Sequence, residues 1–538
     1  MSPSPLNNST SPETLTRPKK KVIIVGAGPV GLLTAIRLGQ ENISTLLLEK
    51  GDVLHKSSRA VVYNPIVLPL LKSFGVLDAV LAAGYLNTRG ATWLNIRDEK
   101  LAHLAVESDK PGVFGGVLLL GQARLNDILL DEVRKYPSVE IKFGAGCTGV
   151  EHVSDSEGGG VRVMTWQRNN ALQDITYEAS YVVAADGAGS AVRRCLCVPY
   201  EGYTWPDWKM LSTHVQYDFA AEKNYDPITA IVDAKDWALI LNTGEDAEGR
   251  GCKPEDAVWR VSFGEDPSLP SSKEDYMQRA TERVGNHVKK GASYKVVSAE
   301  PYYLHQRCAA VARKGRVVFA GDALHANNPS GGLGLTTGIC DAYSYSNALC
   351  RIINGNEPDA LLTECAESRR AAFLSTTNPT SIMNFKRDSD SQDKDAVMFR
   401  NMFFGRLNND PGASREVGKK LQGLLLKGFE RPEKAGDGRV GKAVEAVAAS
   451  GAGSFAEGEP LVGNGEVTPR AIGGVKNEDG ETHVNGVGGS KVEGAGNGVL
   501  PLNEAPRDSI ESEVARLKDD MEVVKGLLKK IAGTVGYS

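Results

Sequence analysis

Lys21-Val-Ile-Ile-Val-Gly26-Ala-Gly28-Pro-Val-Gly31 reads as a short buried strand running into a glycine turn, with a helical apolar pattern over 32–38 directly behind it. The first glycine of the Gly-x-Gly-x-x-Gly spacing permits the tight turn. The second lets a pyrophosphate approach backbone N–H groups at the helix N-terminus, and the third allows close packing of helix on strand. A second apolar run, 45–48, ends at Glu49, where a carboxylate can accept both hydrogens of a ribose 2′,3′-diol. Strand, turn, helix and terminal acid together predict a dinucleotide site. The acid favours an unphosphorylated ribose and leaves FAD and NAD unresolved.

A second stretch separates those two. Arg316-Val-Val-Phe-Ala-Gly321-Asp322-Ala-Leu-His325-Ala-Asn-Asn-Pro329 continues into Ser-Gly331-Gly332-Leu-Gly334. An aspartate at the end of the strand 317–320 can hydrogen-bond a polyol chain, which FAD carries as its ribityl and NAD lacks. The glycines at 331, 332 and 334 let backbone amides lie against an isoalloxazine edge, where reduced flavin carries negative charge. A helix from about Leu335 adds its positive N-terminal dipole. The expected cofactor is FAD, bound through Gly26, Gly28, Gly31, Glu49, Asp322, Gly332 and Gly334.

Composition is compatible with an enzyme. The chain has 538 residues, 41% of them hydrophobic, and Lys plus Arg (62) nearly balance Asp plus Glu (67) at a net charge of −5. With no concentrated basic segment, nucleic acid is not an expected partner. Eight dispersed cysteines form no Cys-x-x-Cys and no zinc-type Cys/His spacing, so reduced thiols and no metal are expected. The N-terminus lacks an apolar h-region and no uncharged apolar run reaches 18 residues, so the expectation is a cytoplasmic protein without a membrane span.

The predicted architecture is α/β. A discontinuous Rossmann-like FAD-binding domain (about 21–90, 113–200 and 300–400) carries an inserted sheet-rich substrate part (about 91–112 and 200–300). Residues 1–20, rich in Ser, Thr and Pro, read as disordered. Residues 401–430 read as a helical extension, and the Gly-rich stretch 431–505 as a flexible linker. In 507–533, Ile510, Val514, Leu517, Met521, Val524, Leu528 and Ile531 form a heptad stripe, with Glu513 and Asp520 at g and Lys518 and Lys525 at e. Either a parallel coiled coil joining two copies or a single amphipathic helix satisfies that pattern. Gly526 weakens both.

Three motifs in order give the chain a specific resemblance. The Gly26/Gly28/Gly31 turn, Ala185-Asp186-Gly187-Ala-Gly-Ser190-Ala-Val-Arg193, and Gly321-Asp322-Ala-Leu-His325 through Pro329 resemble the FAD-dependent aromatic hydroxylases of the para-hydroxybenzoate hydroxylase and phenol 2-monooxygenase superfamily, over roughly residues 21–400. The resemblance implies that Arg59 lies over the flavin phosphates and that Gln122, rather than its rival Arg124, contacts the pyrophosphate. It also implies that Asp186-Gly187 serves both FAD and NADPH. Tyr303-Leu-His305-Gln-Arg307 is similar to a segment of the phenol branch, which makes His305, Arg307 and Tyr63 candidates for orienting a phenol.

The implied activity is hydroxylation of a small aromatic substrate with O₂ and NADPH (or NADH) as co-substrates, through a flavin C4a-hydroperoxide. That branch usually carries a further thioredoxin-like domain where this chain has its linker and heptads, so a larger, polyketide-like secondary metabolite is expected. The tryptophan-rich segment 200–260 would then wall a roomy pocket or form core. An epoxidase or a reductase of the same fold, and a non-catalytic flavin scaffold with an interaction helix, are the alternatives. A halogenase is disfavoured because Trp205-Pro-Asp-Trp208 lacks the Trp-x-Trp-x-Ile-Pro pattern.

Overall fold

The first strand, Lys20–Val25, is apolar from Val22 onward because there both of its faces are covered, as a parallel sheet in an α/β protein requires. It lies between Thr45–Leu48 and Ile175–Ala184, both parallel to it. Across the sheet the order is 313–314, 317–319, 175–184, 20–25, 45–48, 139–142, and two long antiparallel strands, Ala145–Val153 and Gly160–Gln167, extend it from the start of 175–184. This computed structural model describes residues 20–430 except 56–59, 107–114, 155, 157–158, 168–174 and 390–391. The expectations for 1–19, 431–505 and 507–533, and for Arg59, lie outside the described residues.

The register of the parallel strands places the motifs. Val25 pairs with Leu48 and with Ala184, and Ala184 pairs with Phe319. The residues that follow those four strand ends are Gly26, Glu49, Ala185-Asp186 and Ala320-Gly321-Asp322. Four motif positions far apart in sequence therefore stand side by side along one carboxyl edge, where open α/β sheets bind ligands. The helix Pro29–Gln40 leaves that edge with Pro at its first position and Gly28 as its N-cap. It packs on the 23-residue helix Leu333–Gly355, which begins two residues before the sequence-based expectation of Leu335. The two extra residues are accommodated by Gly332, which caps the helix at φ +64°.

A second, mixed eight-stranded sheet takes its strands from 91–104 and 200–326, in the order 325–326, 295–309, 200–216, 259–265, 238–242, 228–232, 91–95, 100–104. Its residues alternate between two environments. Leu211, Val215, Val261, Phe263 and Ile240 pack with Tyr276, Ala280 and Val284 of the helix Lys273–Gly285. The opposite face carries Met210, Ser212 and His214 and is turned away from that helix. A small third sheet joins Val62–Tyr63, Val117–Leu119 and Tyr85–Asn87. The helices Lys394–Asn409 and Ala413–Leu421 follow, the first covering Trp93 and Ala102 with Phe404. Trp237 and Trp259 are each 1% exposed and sit in hydrophobic clusters, so these two tryptophans take the core reading rather than the pocket-wall one. No helix among the described residues is long and apolar enough to cross a membrane.

Helix and sheet are also locked by charge. Glu265 accepts Arg279 Nε at 2.9 Å and stands 3.3 Å from Lys209 Nζ, with Glu265 and Lys209 both buried. Removing one member of such a set leaves the others as buried uncompensated charge. Glu265→Ala is therefore expected to lower the unfolding free energy by about 3–5 kcal/mol in chemical denaturation, whereas an exposed pair such as Arg97–Glu99 contributes roughly 0–1 kcal/mol.

Candidate active site

Each glycine of the turn has its own reason. A Cβ on Gly26 would stand 2.4 Å from the Ala185 carbonyl oxygen, and its φ of +104° is open only to glycine. A Cβ on Gly31 would stand 2.0 Å from the Gly26 carbonyl oxygen, the close helix–strand approach the spacing predicts. A Cβ on Gly28 would meet nothing within 4 Å, so the protein itself does not require glycine there. The space beyond it, at the N-terminus of Pro29–Gln40, suits a pyrophosphate. Glu49 closes one side: its Oε2 accepts from Ala27 N at 2.9 Å and its Oε1 from Gly51 N at 2.8 Å. These residues fit a bound FAD.

The Asp-Gly motif is the next element along the edge. Asp186 Oδ2 accepts from the backbone N–H groups of Ala191 and Val192 at 2.7 and 3.2 Å, capping the helix Ala191–Cys195, and burial raises its pKa. Its Oδ1 is buried without a hydrogen-bond partner. Gly187 has φ +79°, and a Cβ there would meet nothing within 4 Å. Arg193 binds this motif to the Gly-Asp loop: Nη2 donates to Ala188 O at 2.6 Å, Nη1 to Ala323 O at 2.8 Å, and the guanidinium lies 3.7 Å from the centre of the Tyr200 ring. Tyr200 in turn donates to Asp322 O at 2.8 Å, while the Asp322 side chain is exposed at the strand end.

The glycine-rich loop is positioned by neighbours the sequence did not mark. Asn64 Nδ2 donates to the carbonyls of Gly331 and Gly332 and to Thr336 Oγ1, at 3.1, 3.2 and 3.1 Å. Gly332 rests on Val62, whose Cγ1 would be 2.9 Å from an added Cβ, whereas a Cβ on Gly334 would meet only Asn327 Oδ1, at 3.5 Å. Gln122 Oε1 accepts from Ala60 N at 3.3 Å, beside the position of Arg59. Behind the loop, buried Asp341 accepts from Gly321 N at 3.0 Å and pairs with His325 Nε2 at 2.8 Å and Arg369 Nε at 2.6 Å. An acid inside the otherwise apolar run Ile339-Cys340-Asp341-Ala342 was the available sequence signal for this anchor.

The three candidates for orienting a phenol separate. His305 Nδ1 lies 2.9 Å from Thr204 Oγ1, and Arg307 donates to Thr204 Oγ1 and Tyr200 O at 3.3 and 3.1 Å. Both alternate with buried Leu304, Gln306 and Cys308, so they stand on the other face of their strand. Burial and then Arg307 lower the His305 pKa. Tyr63 is elsewhere. It is 1% exposed beside Val62, with its hydroxyl unpartnered and its pKa raised by burial, then by Glu245. Glu245 and Arg260 had no sequence signal, the first lying in a loop where it bridges to Gly251 and the second within a strand.

A parallel strand–glycine turn–helix unit, a terminal acid and a Gly-Asp loop stand together on one sheet edge, the arrangement of a dinucleotide-binding fold. Residues 19–378 match the FAD binding domain family, and the chain belongs to that family, among the FAD-dependent aromatic hydroxylases. It is 35% identical over 392 residues to para-nitrophenol 4-monooxygenase of Pseudomonas sp. (strain WBC-3), covering 70% of this chain and 91% of the relative. It is 34% identical over 371 residues to 6-hydroxy-3-succinoylpyridine 3-monooxygenase HspB of Pseudomonas putida (strain DSM 28022 / S16), covering 68% and 88%. The crystal structure of p-nitrophenol 4-monooxygenase PnpA from Pseudomonas putida DLL-E4 superposes with a TM-score of 0.68 at 31% identity, covering 77% of this chain and 99% of that one. The chain is an FAD-dependent monooxygenase.

The glycine geometry separates folding from cofactor binding. Gly28→Ala, at φ −73°, is expected to leave the melting of flavin-free protein unchanged while weakening FAD at least about tenfold. Gly31→Ala is expected to cost about 1–3 kcal/mol of stability before flavin is added. Thermal melts of the flavin-free variants and FAD titration by flavin fluorescence check both.

Proposed function

We propose that the protein hydroxylates a phenolic ring with O₂ and NADPH or NADH, in the balance ArH + O₂ + NAD(P)H + H⁺ → ArOH + NAD(P)⁺ + H₂O. The alignment of Gly26, Glu49, Asp186 and Asp322 on one sheet edge, in a chain of this family, carries the reading. FAD, when bound, supplies the hydride acceptance and oxygen activation. Gly26, Gly28, Gly31, Arg59 and Gln122 would hold its phosphates, Glu49 the ribose and Asp322 the ribityl. Gly332 and Gly334 would meet the ring edge. Asp186-Gly187 would lie between flavin and nicotinamide, consistent with Arg193 and Tyr200 tying that motif to the Gly-Asp loop.

Two relatives above 30% identity are named for single hydroxylated or nitrated rings, which supports a small phenol or hydroxypyridine as the first substrate class. A larger polyketide-like ring is the second reading. Its support is the name of 6-methylpretetramide 4-monooxygenase of Streptomyces rimosus, a 24% identical relative. Around the ring, the protein's tasks are to exclude water and fix orientation. A cytoplasmic setting and self-association through 507–533 complete the proposal; deleting 507–538 is expected to lower the oligomeric state, measured by light scattering, and an unchanged state removes the self-association.

The decisive experiment is NADPH oxidation by the yellow protein with a panel of phenols under ¹⁸O₂. A phenol that accelerates oxidation and acquires one ¹⁸O is the expected result. Oxidation that proceeds equally without O₂ would point to the reductase alternative.

A further inference from the structure

We propose that Tyr63, Glu245 and Arg260 form the subsite for the substrate's phenolic oxygen, with Glu245 accepting the phenolic proton and Arg260 balancing the charge that remains. This deepens, and rests on, the phenol monooxygenase reading. The observations that carry it are orphaned polar atoms within one buried cluster. Tyr63 is 1% exposed and Glu245 7% exposed, yet the Tyr63 hydroxyl and Glu245 Oε1 have no hydrogen-bond partner. An unmet buried polar atom is costly, and two of them within electrostatic reach of each other and of a buried guanidinium fit a site built for a ligand oxygen.

The cluster sits where a flavin-bound ring would need it. Tyr63 adjoins Val62, on which Gly332 rests, and Asn64, which holds the Gly331 and Gly332 carbonyls. The Glu245 carboxyl packs on Gly121, with Oε2 2.1 Å from where a Cβ would stand, one residue before Gln122. Arg260 comes from the second sheet, on the face that also bears His214, its antiparallel partner. The cluster thus lies between two elements expected to hold the flavin and the sheet expected to hold the substrate.

The groups facing Glu245 decide which one takes the proton. Tyr63 acts on it from the third sheet, Arg124 from the helix Gln122–Val133, Asp246 from the adjoining loop and Arg260 from the second sheet; Tyr302 and Glu300 act on Arg260 from 295–309, two strands across that sheet. His214 is pushed down to about 4 by burial and by Arg260, and its Nδ1 is engaged by Ser298 Oγ at 3.0 Å, so it is neutral and a weak base. Burial lifts the Glu245 carboxyl to about 7, against the pull of the Gly121 N–H, Arg260 and Arg124. The step is ArO–H + Glu245–COO⁻ → ArO⁻ + Glu245–COOH. One O–H bond breaks, one forms and no electrons change hands. The electron-rich phenolate is the form that an electrophilic oxygen attacks, and the proton returns to the hydroxylated product on release.

The test follows from the proton count. The complex holds one proton between Glu245 and the ring oxygen, so ligand affinity of the oxidised holoenzyme is expected to fall about tenfold per pH unit once both free groups are ionised. 4-Nitrophenol serves as probe, its phenolate band read by difference absorption. In Glu245→Gln the alkaline fall should vanish, leaving affinity flat at high pH. In Tyr63→Phe affinity should drop while the alkaline fall remains. An alkaline fall unchanged in Glu245→Gln overturns the subsite even if phenols stimulate NADPH oxidation. If no phenol stimulates the wild type, the monooxygenase reading itself fails and the subsite with it.

Discussion

One buried carboxylate holds the cofactor side of this molecule in place. Asp341 lies on the long helix Leu333–Gly355 and presents one oxygen to Gly321 N–H and His325 Nε2, the other to Arg369 Nε. Arg369, itself fully buried, extends to Thr337 O on the same helix and to Leu424 O beyond. Burial alone would raise the acid's pKa. His325 and Arg369 outweigh it and hold Asp341 below the usual carboxylate range. A buried ion pair of this kind is weak evidence of net stabilisation, since desolvation offsets much of the attraction. Its value is geometric: the Gly-Asp loop cannot shift without breaking hydrogen bonds to a charge that has no water to turn to.

That rigidity matters because the site is assembled from strand ends rather than from one contiguous segment. In a parallel sheet, a slip of one residue would turn Asp186 or Asp322 to the opposite face and displace it by a strand step. Apolar residues buried on both faces fix the pairing of 20–25 with 45–48 and 175–184, and the Arg193 bonds then tie the last two motifs to each other. Backbone groups dominate the resulting surface. Glycines, a helix N-terminus and carbonyls held by Asn64 impose shape with little side-chain chemistry, which suits a cofactor that brings its own reactivity.

The same contrast explains what could be read from sequence. Gly26 and Gly31 are legible because each answers a local backbone demand that the spacing records directly; the added-Cβ distances reproduce those two roles and leave open space beyond Gly28. Strand and helix assignments around them were legible for the same reason, and the helix start at Leu333 was misplaced by two residues because Gly332 serves as cap at positive φ. Asp186 looked like a cofactor ligand but half of its carboxylate is spent capping a five-residue helix, a fact that only the fold reveals. Glu245 and Arg260 left no trace. Their meaning comes from Tyr63, which lies 182 and 197 positions away in the chain, and no spacing rule reaches that far.

The proposed substrate subsite therefore joins side chains that belong to no sequence motif, whereas each cofactor motif, though the fold brings several together, records a local backbone demand. Arg260 gains its place only because its strand pairs with 200–216 in a register that sets it opposite His214. Glu245 gains its place because Gly121 has no side chain to exclude it. Either condition could change without disturbing the glycine turn, the Asp-Gly motif or the Asp341 anchor. A scaffold divided in this way can keep one oxygen-activating cofactor while its ring specificity is altered by a few substitutions on a different sheet. That separation gives a physical reason why relatives with the same flavin fold carry names for such different rings.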